Sequence, residues 1–499
     1  MRVAVIGTGY VGIVSGACFA DFGHDVVCID KDEAKIAALQ RGSIPIYEPG
    51  LEQLVVANVR AGRLKFSTRQ AAPVRRAHAI LLAVGTPPRH SDGCADLSCV
   101  YAAARAIAAD LKGFTAIIVK STVPVGTGDE VDAIIRELRP DADFAVVSNP
   151  EFLREGNAIR DFMHPDRIVV GTEHARARKI LTELYRPLQL NTAPILFTSR
   201  RTAELIKYAS NAFLATKVTF INEMADLCER VGADVSEVAQ GMGLDNRIGA
   251  KFLDAGPGFG GSCFPKDALA LIKTAQDHGS PLRIVETVVG VNDCRRRTVA
   301  RKIAAALGSN VRGATVAVLG LTFKPNTDDI REAPSIALIT ALQDLGAKVR
   351  AHDPAGMEPA KLVLEGVSFA DDPYDCAKGA DVVVIVTEWK QYRMLDLARL
   401  KGVMAKPVLV DLRNIYDAED VVRHGFTYES VGRARRTADE VCDTIPFTPQ
   451  LATGTRLRVR TPAAGASLRN RVTEPLLQLS KGQRNGRLDK ASAGRRNGG

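Results

Sequence analysis

The stretch Gly256-Pro257-Gly258-Phe259-Gly260-Gly261-Ser262-Cys263-Phe264-Pro265-Lys266-Asp267 gathers a thiol, an amine and a carboxylate behind a run of glycines. Glycines let the backbone approach a ligand closely, and a helix expected to start near Asp267 would aim its N-terminal dipole at Cys263. With Lys266 three residues on, dipole and cation together favour the thiolate, the form of cysteine that attacks carbon. Burial as an inert apolar side chain is the competing reading, and it is the one that suits the other eight cysteines, Cys18, Cys28, Cys94, Cys99, Cys228, Cys294, Cys376 and Cys442. An odd total without CxxC pairs suggests reduced thiols and offers no metal-ligand spacing, so no metal is expected.

A second cluster opens the chain. Gly7-Thr8-Gly9-Tyr10-Val11-Gly12 follows the apolar run Val3 to Ile6 and leads into a helical stretch through Ser15, Ala17 and Ala20. In that setting Gly7, Gly9 and Gly12 let backbone amides and a helix N-terminus reach a pyrophosphate. About 20 residues on, the next strand ends at Asp30, where a carboxylate can accept both hydroxyls of an adenosine ribose. Lys31 and Lys35 could tolerate a 2′-phosphate, but Asp30 would repel one, so the pattern favours NAD over NADP. Tight helix packing without a ligand is the other explanation of these glycines. Thr86, in Gly85-Thr86-Pro87-Pro88, and Thr122, in Ser121-Thr122-Val123-Pro124, stand at strand exits where α/β sheets bind ligands. Either could equally belong to a simple turn.

Elements that position these clusters follow from periodicity. Val3 to Ile6, Val26 to Ile29, Ala79 to Val84, Ala116 to Lys120 and Ala145 to Ser148 read as short β-branched strands separated by amphipathic helices, a doubly wound parallel sheet. From about Arg201 to Val231 no Pro or Gly interrupts an apolar pattern of helical spacing, which predicts one long helix. The strand pattern restarts at Thr315 to Leu319, Lys348 to His352, Asp381 to Thr387 and Val408 to Asp411. The fold class is therefore α/β, two Rossmann-like domains joined by a long central helix. The expected divisions are residues 1–200, 201–300 carrying the cysteine loop, 301–433, and a basic disordered tail, 434–499.

From Met1 to about Arg433 these segments together resemble the UDP-glucose and GDP-mannose dehydrogenase family, most closely its UDP-glucose branch around Cys263. The resemblance implies an NAD domain and a nucleotide-sugar domain joined by a helix that also builds a homodimer. It implies two successive hydride transfers from C6 of UDP-glucose, with Cys263 forming a thiohemiacetal and then a thioester that water releases as UDP-glucuronate. Lys207 and Asn211, one helical turn apart, match the family's catalytic Lys and Asn; by spacing alone they would be solvated helix positions. Asp267 and Glu151 match its general bases, with their division of labour open, and Thr122 is carried over as a catalytic hydroxyl. Tyr10, Val11, Lys35, Thr86, Glu155, Lys266 and Arg331 are implied cofactor contacts. Phe152, Leu153, Glu155, Phe252, Leu253, Phe259, Gly260, Lys324 and Arg413 are implied around the substrate, with Arg247 reaching in from a partner subunit. One departure is Asn326, before Thr327-Asp328-Asp329, where the family more often has Asp; the lost charge is expected to soften a local contact.

Composition narrows the rest. Apolar residues form 46% of the 499 and charged residues 25%, a globular balance, and no apolar run reaches the ~18 residues of a membrane span. A cytoplasmic protein without a membrane partner is expected. The net charge of +9 is confined to the tail, since Leu451 to Gly499 holds eleven Arg and Lys against Glu474 and Asp489. That tail reads as an inert extension, a weak polyanion-binding arm or a docking segment, and it is the only hint of nucleic acid. Two functions compete with UDP-glucose oxidation: a dehydrogenase of GDP-mannose or UDP-N-acetylmannosamine, and a nucleotide-binding scaffold without chemistry.

Overall fold

A computed structural model describes residues 1–87, 89, 95–190 and 193–434. The expected tail lies outside the described residues from Arg435 onward, as do Cys94 and Cys442. The first sheet contains β1 (Arg2–Ile6), β2 (Asp25–Ile29), β3 (Leu64–Ser67), β4 (Ala79–Leu82), β5 (Thr115–Val119), β6 (Phe144–Ser148), β7 (Ile168–Gly171) and β8 (Ile195–Thr198). Their order is β3-β2-β1-β4-β5-β6-β7-β8, and every neighbouring pair is parallel except β6 with β7. The second sheet, β9 (Thr315–Leu319), β10 (Lys348–His352), β11 (Val367–Phe369), β12 (Val382–Ile385), β13 (Val408–Asp411) and β14 (Thr427–Ser430), is wholly parallel in the order β11-β10-β9-β12-β13-β14. Strand order therefore reverses between β1 and β4 and again between β9 and β12, which opens a crevice at the carboxyl edge of each sheet.

Alternation of side chains across a strand explains the layers. Val3, Val5 and Leu81 enter a core on one face of the first sheet, and Ala4, Ile6, Ile80 and Leu82 enter a core on the other. The second sheet repeats this with Val316, Val318, Val382 and Val384 against Ala317, Leu319, Val383 and Ile385. Both faces are covered by helices, so central strands such as β4 and β12 are apolar and buried throughout. Two expected strands are shorter than read: Ala79 to Val84 stops at Leu82 and Asp381 to Thr387 covers only Val382–Ile385.

The long helix spans Arg200–Val231, 32 residues, capped by Ser199 accepting from the Thr202 amide and closed by left-handed Gly232 (φ 75°). At 1.5 Å per residue it is about 48 Å long. One face, with Ala203, Lys207, Tyr208, Asn211, Ala212 and Ala215, is buried, whereas Leu205, Phe213, Phe220 and Leu227, spaced seven or eight residues apart, are exposed. Among the described residues no helix is long and apolar enough to cross a membrane.

Candidate active site

At the exit of β1, Gly7 takes φ 100°, and a Cβ there would lie 2.7 Å from the Ala83 carbonyl oxygen. A Cβ at Gly12 would lie 2.0 Å from the Gly7 oxygen, so these two glycines are demanded by packing. Gly9 differs: its φ of −74° suits any residue, and a Cβ would meet nothing within 4 Å. That open space, in front of the helix Tyr10–Asp21, is what an approaching pyrophosphate needs. Asp30 faces the same turn. Its Oδ2 accepts from the Thr8 amide (2.9 Å) and hydroxyl (2.8 Å), its Oδ1 from the Asp32 amide (3.2 Å), and Lys35 Nζ stands 3.6 Å away. Burial pushes this carboxyl up, but the hydrogen bonds from Thr8 and Asp32 and the Lys35 charge outweigh it and leave it below its usual range. An ionised acid with lone pairs to spare suits an NAD ribose. Asp30→Ala is expected to raise the KM for NAD about tenfold or more and to weaken the preference over NADP, because a charge-assisted acceptor is lost. Initial rates with both cofactors measure this, and an unchanged NAD/NADP ratio would remove Asp30 from the cofactor site.

The exits of β4 and β5 are tied to the cysteine loop. Thr86 Oγ1 donates to the Thr122 carbonyl (3.0 Å), and Lys266 Nζ donates to Thr86 Oγ1 (3.4 Å) while pairing with Asp267 Oδ1 (3.1 Å). Two expectations about Cys263 are corrected. The helix starts at Phe264, not near Asp267, with Pro265 in its first turn, so Cys263 is itself the N-cap residue. Proline is tolerated there because the first amides have no partner within the helix. The resting thiol also does not favour the thiolate. Burial pushes it up, Lys207 opposes, and Glu151 and Asp267 push it further, so it stays above its ordinary value. The cation that acts on it most strongly is Lys207 on the long helix, not its sequence neighbour Lys266.

Lys207 and Asn211 each hold one carboxylate. Lys207 Nζ lies 3.0 Å from Glu151 Oε1, and Asn211 Nδ2 donates to Asp267 Oδ2 at 2.6 Å, all four residues being buried. Glu151 Oε2 also accepts from the Leu153 amide (2.5 Å). Burial pushes Glu151 up, but Lys207 and that amide bring it below its usual range, and Glu151, Cys263 and Asp267 in turn outweigh burial to hold the Lys207 ammonium above its own. The result is a dry, charged chamber at a thiol, able to take protons on carboxylates and to stabilise an oxyanion with an ammonium and an amide. The Phe152 ring lies beside it, 5.4 Å from Lys207 Nζ and 3.8 Å from the Arg167 guanidinium.

Residues of the second sheet close the other side. Glu155 Oε1 accepts from Ser262 (3.1 Å), its Oε2 from Thr327 (3.3 Å), and Arg331 stands 3.5 Å away, itself clasped by Asp329. Burial and Asp329 push Glu155 up to about 7 against the pull of Arg331 and Lys324. Lys324 lies over the Phe323 ring (5.1 Å), its amine pushed down by burial. Arg413 donates to the carbonyls of Val386 (2.8 Å) and Phe323 (3.2 Å) and pairs with Glu388 (3.1 Å). A Cβ on Gly256 would come within 3.0 Å of that guanidinium, and one on Gly260 within 2.1 Å of the Glu332 oxygen, so the glycine loop packs directly on this wall. Leu253 and Phe259 are buried, and Asn292 takes both the amide (2.8 Å) and the carbonyl (3.1 Å) of Phe259; Phe252 sits at φ 66° beside the Phe264 ring. Asn326 is left-handed (φ 63°), a conformation Asn tolerates, and its backbone oxygen would be 2.4 Å from a Cβ on Gly156. The contact there is thus made by the main chain.

Arg247 is not brought to this chamber. Its side chain is 90% exposed and bound to Asp245. Tyr10 and Val11 lie at the helix start, Val11 against the core, while the Tyr10 hydroxyl donates to Glu48 and accepts from the Gly156 amide (2.9 Å). Sequence reasoning passed over Glu48, which also accepts from the amides of Gly156 (2.7 Å) and Ala158 (2.8 Å) and so fixes the loop carrying Glu151 and Glu155. It also passed over Lys120, a buried lysine directly after the apolar run Ala116 to Val119, a signal that was available.

The UDP-glucose/GDP-mannose dehydrogenase family matches this chain in three parts: its NAD binding domain over residues 1–189, its central domain over 201–294 and its UDP binding domain over 317–418. The chain is 63% identical over 435 residues to the UDP-glucose 6-dehydrogenase of Rhizobium meliloti, covering 87% of this chain and 100% of that one. It is 48% identical to UDP-glucose 6-dehydrogenase TuaD of Bacillus subtilis, covering 89% and 95%. A UDP-glucose dehydrogenase structure from Pyrobaculum islandicum superposes with a TM-score of 0.80 at 42% identity, covering 87% and 98%. Three matched domains in order, together with the 63% identity over nearly the whole of a relative, establish that the chain belongs to the UDP-glucose/GDP-mannose dehydrogenase family.

Proposed function

We propose that this chain, an NAD-dependent oxidoreductase, converts UDP-glucose, two NAD⁺ and water to UDP-glucuronate, two NADH and three protons through a thioester on Cys263. The observation that carries the reading is the pairing of Lys207 with Glu151 and Asn211 with Asp267 around the Cys263 thiol. The 63% identity to a UDP-glucose 6-dehydrogenase over nearly the whole described chain favours UDP-glucose over GDP-mannose or UDP-N-acetylmannosamine. Gly9 and Asp30 would hold NAD, which would supply the hydride acceptor for each oxidation. Glu151 and Asp267 take the hydroxyl and water protons. Cys263 adds to the C6 aldehyde, Lys207 and Asn211 stabilise the oxygen that becomes negative, and the second oxidation leaves an acyl-sulfur bond that water cleaves. Lys324, Arg331 and Arg413 supply positive charge along the second-sheet wall for the diphosphate and cofactor.

The exposed stripe Leu205, Phe213, Phe220 and Leu227 on the long helix supports a homodimer, which would bury it and bring the partner subunit's Arg247 to the chamber. Residues 1–200, 201–300 and 301–433 are accordingly assigned to cofactor, helical and nucleotide-sugar domains. Absorbance of NADH formed from limiting UDP-glucose tests the reaction, with GDP-mannose and UDP-N-acetylmannosamine in parallel. A yield of two NADH per UDP-glucose is expected; one NADH would sink the thioester route, and none would sink the substrate assignment.

A further inference from the structure

The side chain that the reaction above leaves unused is Lys120. It directly follows β5, is 4% exposed, and donates to Asn149 Oδ1 (3.2 Å) and to the Tyr185 hydroxyl (3.1 Å). Tyr185 in turn donates to Asn149 Oδ1 (2.6 Å), whose amide nitrogen donates to the Val169 carbonyl (2.7 Å). These are neutral partners. No carboxylate is paired with the Lys120 ammonium within 4 Å among the described residues, whereas Lys207 has Glu151 and Lys266 has Asp267. Burying an ammonium on neutral acceptors alone is costly, and packing could have been met by an apolar residue continuing the run Ala116 to Val119.

What Lys120 gains is its place beneath the chamber. Asn149, which it holds, directly follows β6 two residues before Glu151, so the β5 and β6 exits are tied together just ahead of that carboxylate in the chain. The charges felt at Lys120 are Glu151 from the β6 exit and Lys207 from the long helix. Counted together, the groups on the first-domain side of the chamber are three ammoniums, Lys120, Lys207 and Lys266, against two carboxylates, Glu151 and Asp267. The excess of one positive charge vanishes when Cys263 becomes a thiolate or an oxyanion forms on C6. Without Lys120, Lys207 would be cancelled by Glu151 on this side, and the cations left to feel a new anion at Cys263 would be Lys324 and Arg331 of the opposite wall, which already face Glu155 and Asp329.

We propose that Lys120 is a positioning residue for this chemistry: held by Asn149 and Tyr185, its ammonium shares the Glu151 charge and so leaves Lys207 free to stabilise the Cys263 thiolate and the C6 oxyanion. The reading deepens the proposed reaction and rests on it. Burial lowers the Lys120 amine to about 8, with Glu151 opposing and Lys207 reinforcing, so the supply of charge fades as pH rises through that value.

The test is the pH dependence of Cys263 alkylation by iodoacetamide, followed by mass spectrometry of the Cys263 peptide in the full-length enzyme, alongside NADH formation from UDP-glucose. Lys120→Met is expected to slow alkylation about tenfold at neutral pH, the equivalent of one pKa unit, with recovery at higher pH. The wild-type profile should depart from a single titration because the Lys120 charge is lost as pH rises, and the variant profile should follow one step. Tyr185→Phe keeps the charge and removes one acceptor, so it should move the profile the same way by less, and it serves if Lys120→Met does not fold. Variants with a wild-type melting temperature and a wild-type alkylation profile would overturn the proposal. Alkylation needs no UDP-glucose, so a wild type that makes no NADH from that sugar refutes the substrate reading while the Lys120 test still returns its own answer.

Discussion

Cys263→Ala is expected to lower NADH formation from UDP-glucose by at least about 10³-fold, the scale of losing a covalent nucleophile. The chamber offers no substitute. Ser262 is adjacent, but its hydroxyl is engaged with Glu155, and Asp267 and Glu151 are held by Asn211 and Lys207. The resting thiol is pushed up by burial, so the attacking form must be created when substrate is bound, with Lys207 balancing the charge and a carboxylate taking the proton. Cys263→Ser should separate the steps. It keeps an oxygen in place of sulfur, but an ester is a poorer acyl donor than a thioester, so a sugar adduct of the mass of UDP-glucuronate minus water should accumulate on the peptide that carries the substitution. Single-turnover absorbance and intact mass measure both effects. Alanine retaining more than a tenth of the wild-type rate would show that the oxidation proceeds without sulfur.

The parts of the fold legible in the sequence were those fixed by local rules. Strands β1, β9, β10 and β13 and the long helix were readable because their apolar periodicity is uninterrupted, and the helix boundary differs by one residue at Arg200. Strand β7, Ile168–Gly171, obeys the same rule and was passed over, whereas β3, β8, β11 and β14 are three or four residues long and partly exposed, too short for alternation to stand out. Among site residues, Gly7, Gly12 and Asp30 carry a local pattern. Lys207 and Asn211 carry none beyond one helical turn, since what gives them chemistry is Glu151 and Asp267, each 56 residues away. The cation beside Cys263 was misjudged for the same reason: sequence distance favoured Lys266, while folding delivers Lys207. Lys120 and Glu48 gain their meaning only from partners such as Tyr185 and Gly156, which lie 65 and 108 residues away.

Lys207→Met should be the most damaging change on the long helix, and it should fail in two separable ways. Turnover is expected to fall about 10²- to 10³-fold, the usual loss when one oxyanion-stabilising group is removed. Stability is expected to fall by about 3–5 kcal/mol at neutral pH, because the Glu151 carboxylate is left buried without its partner. In the wild type Glu151 sits below its usual range, so its contribution is present above the unfolded-state pKa and is lost as pH falls. In the variant, burial is no longer offset by Lys207 and the folded pKa should rise above the unfolded one. The sign then reverses: the protonated acid is favoured in the folded state, and the deficit relative to wild type should shrink as pH is lowered through the carboxylate range. Adding Glu151→Gln removes the stranded charge, so the double variant should regain most of the lost stability at neutral pH while its turnover remains low. Thermal unfolding across pH together with NADH assays measures the cycle. A single variant as stable as wild type at neutral pH would mean that Lys207 and Glu151 are not a buried pair, and a double variant with restored turnover would mean that the ammonium does not act on the substrate oxygen.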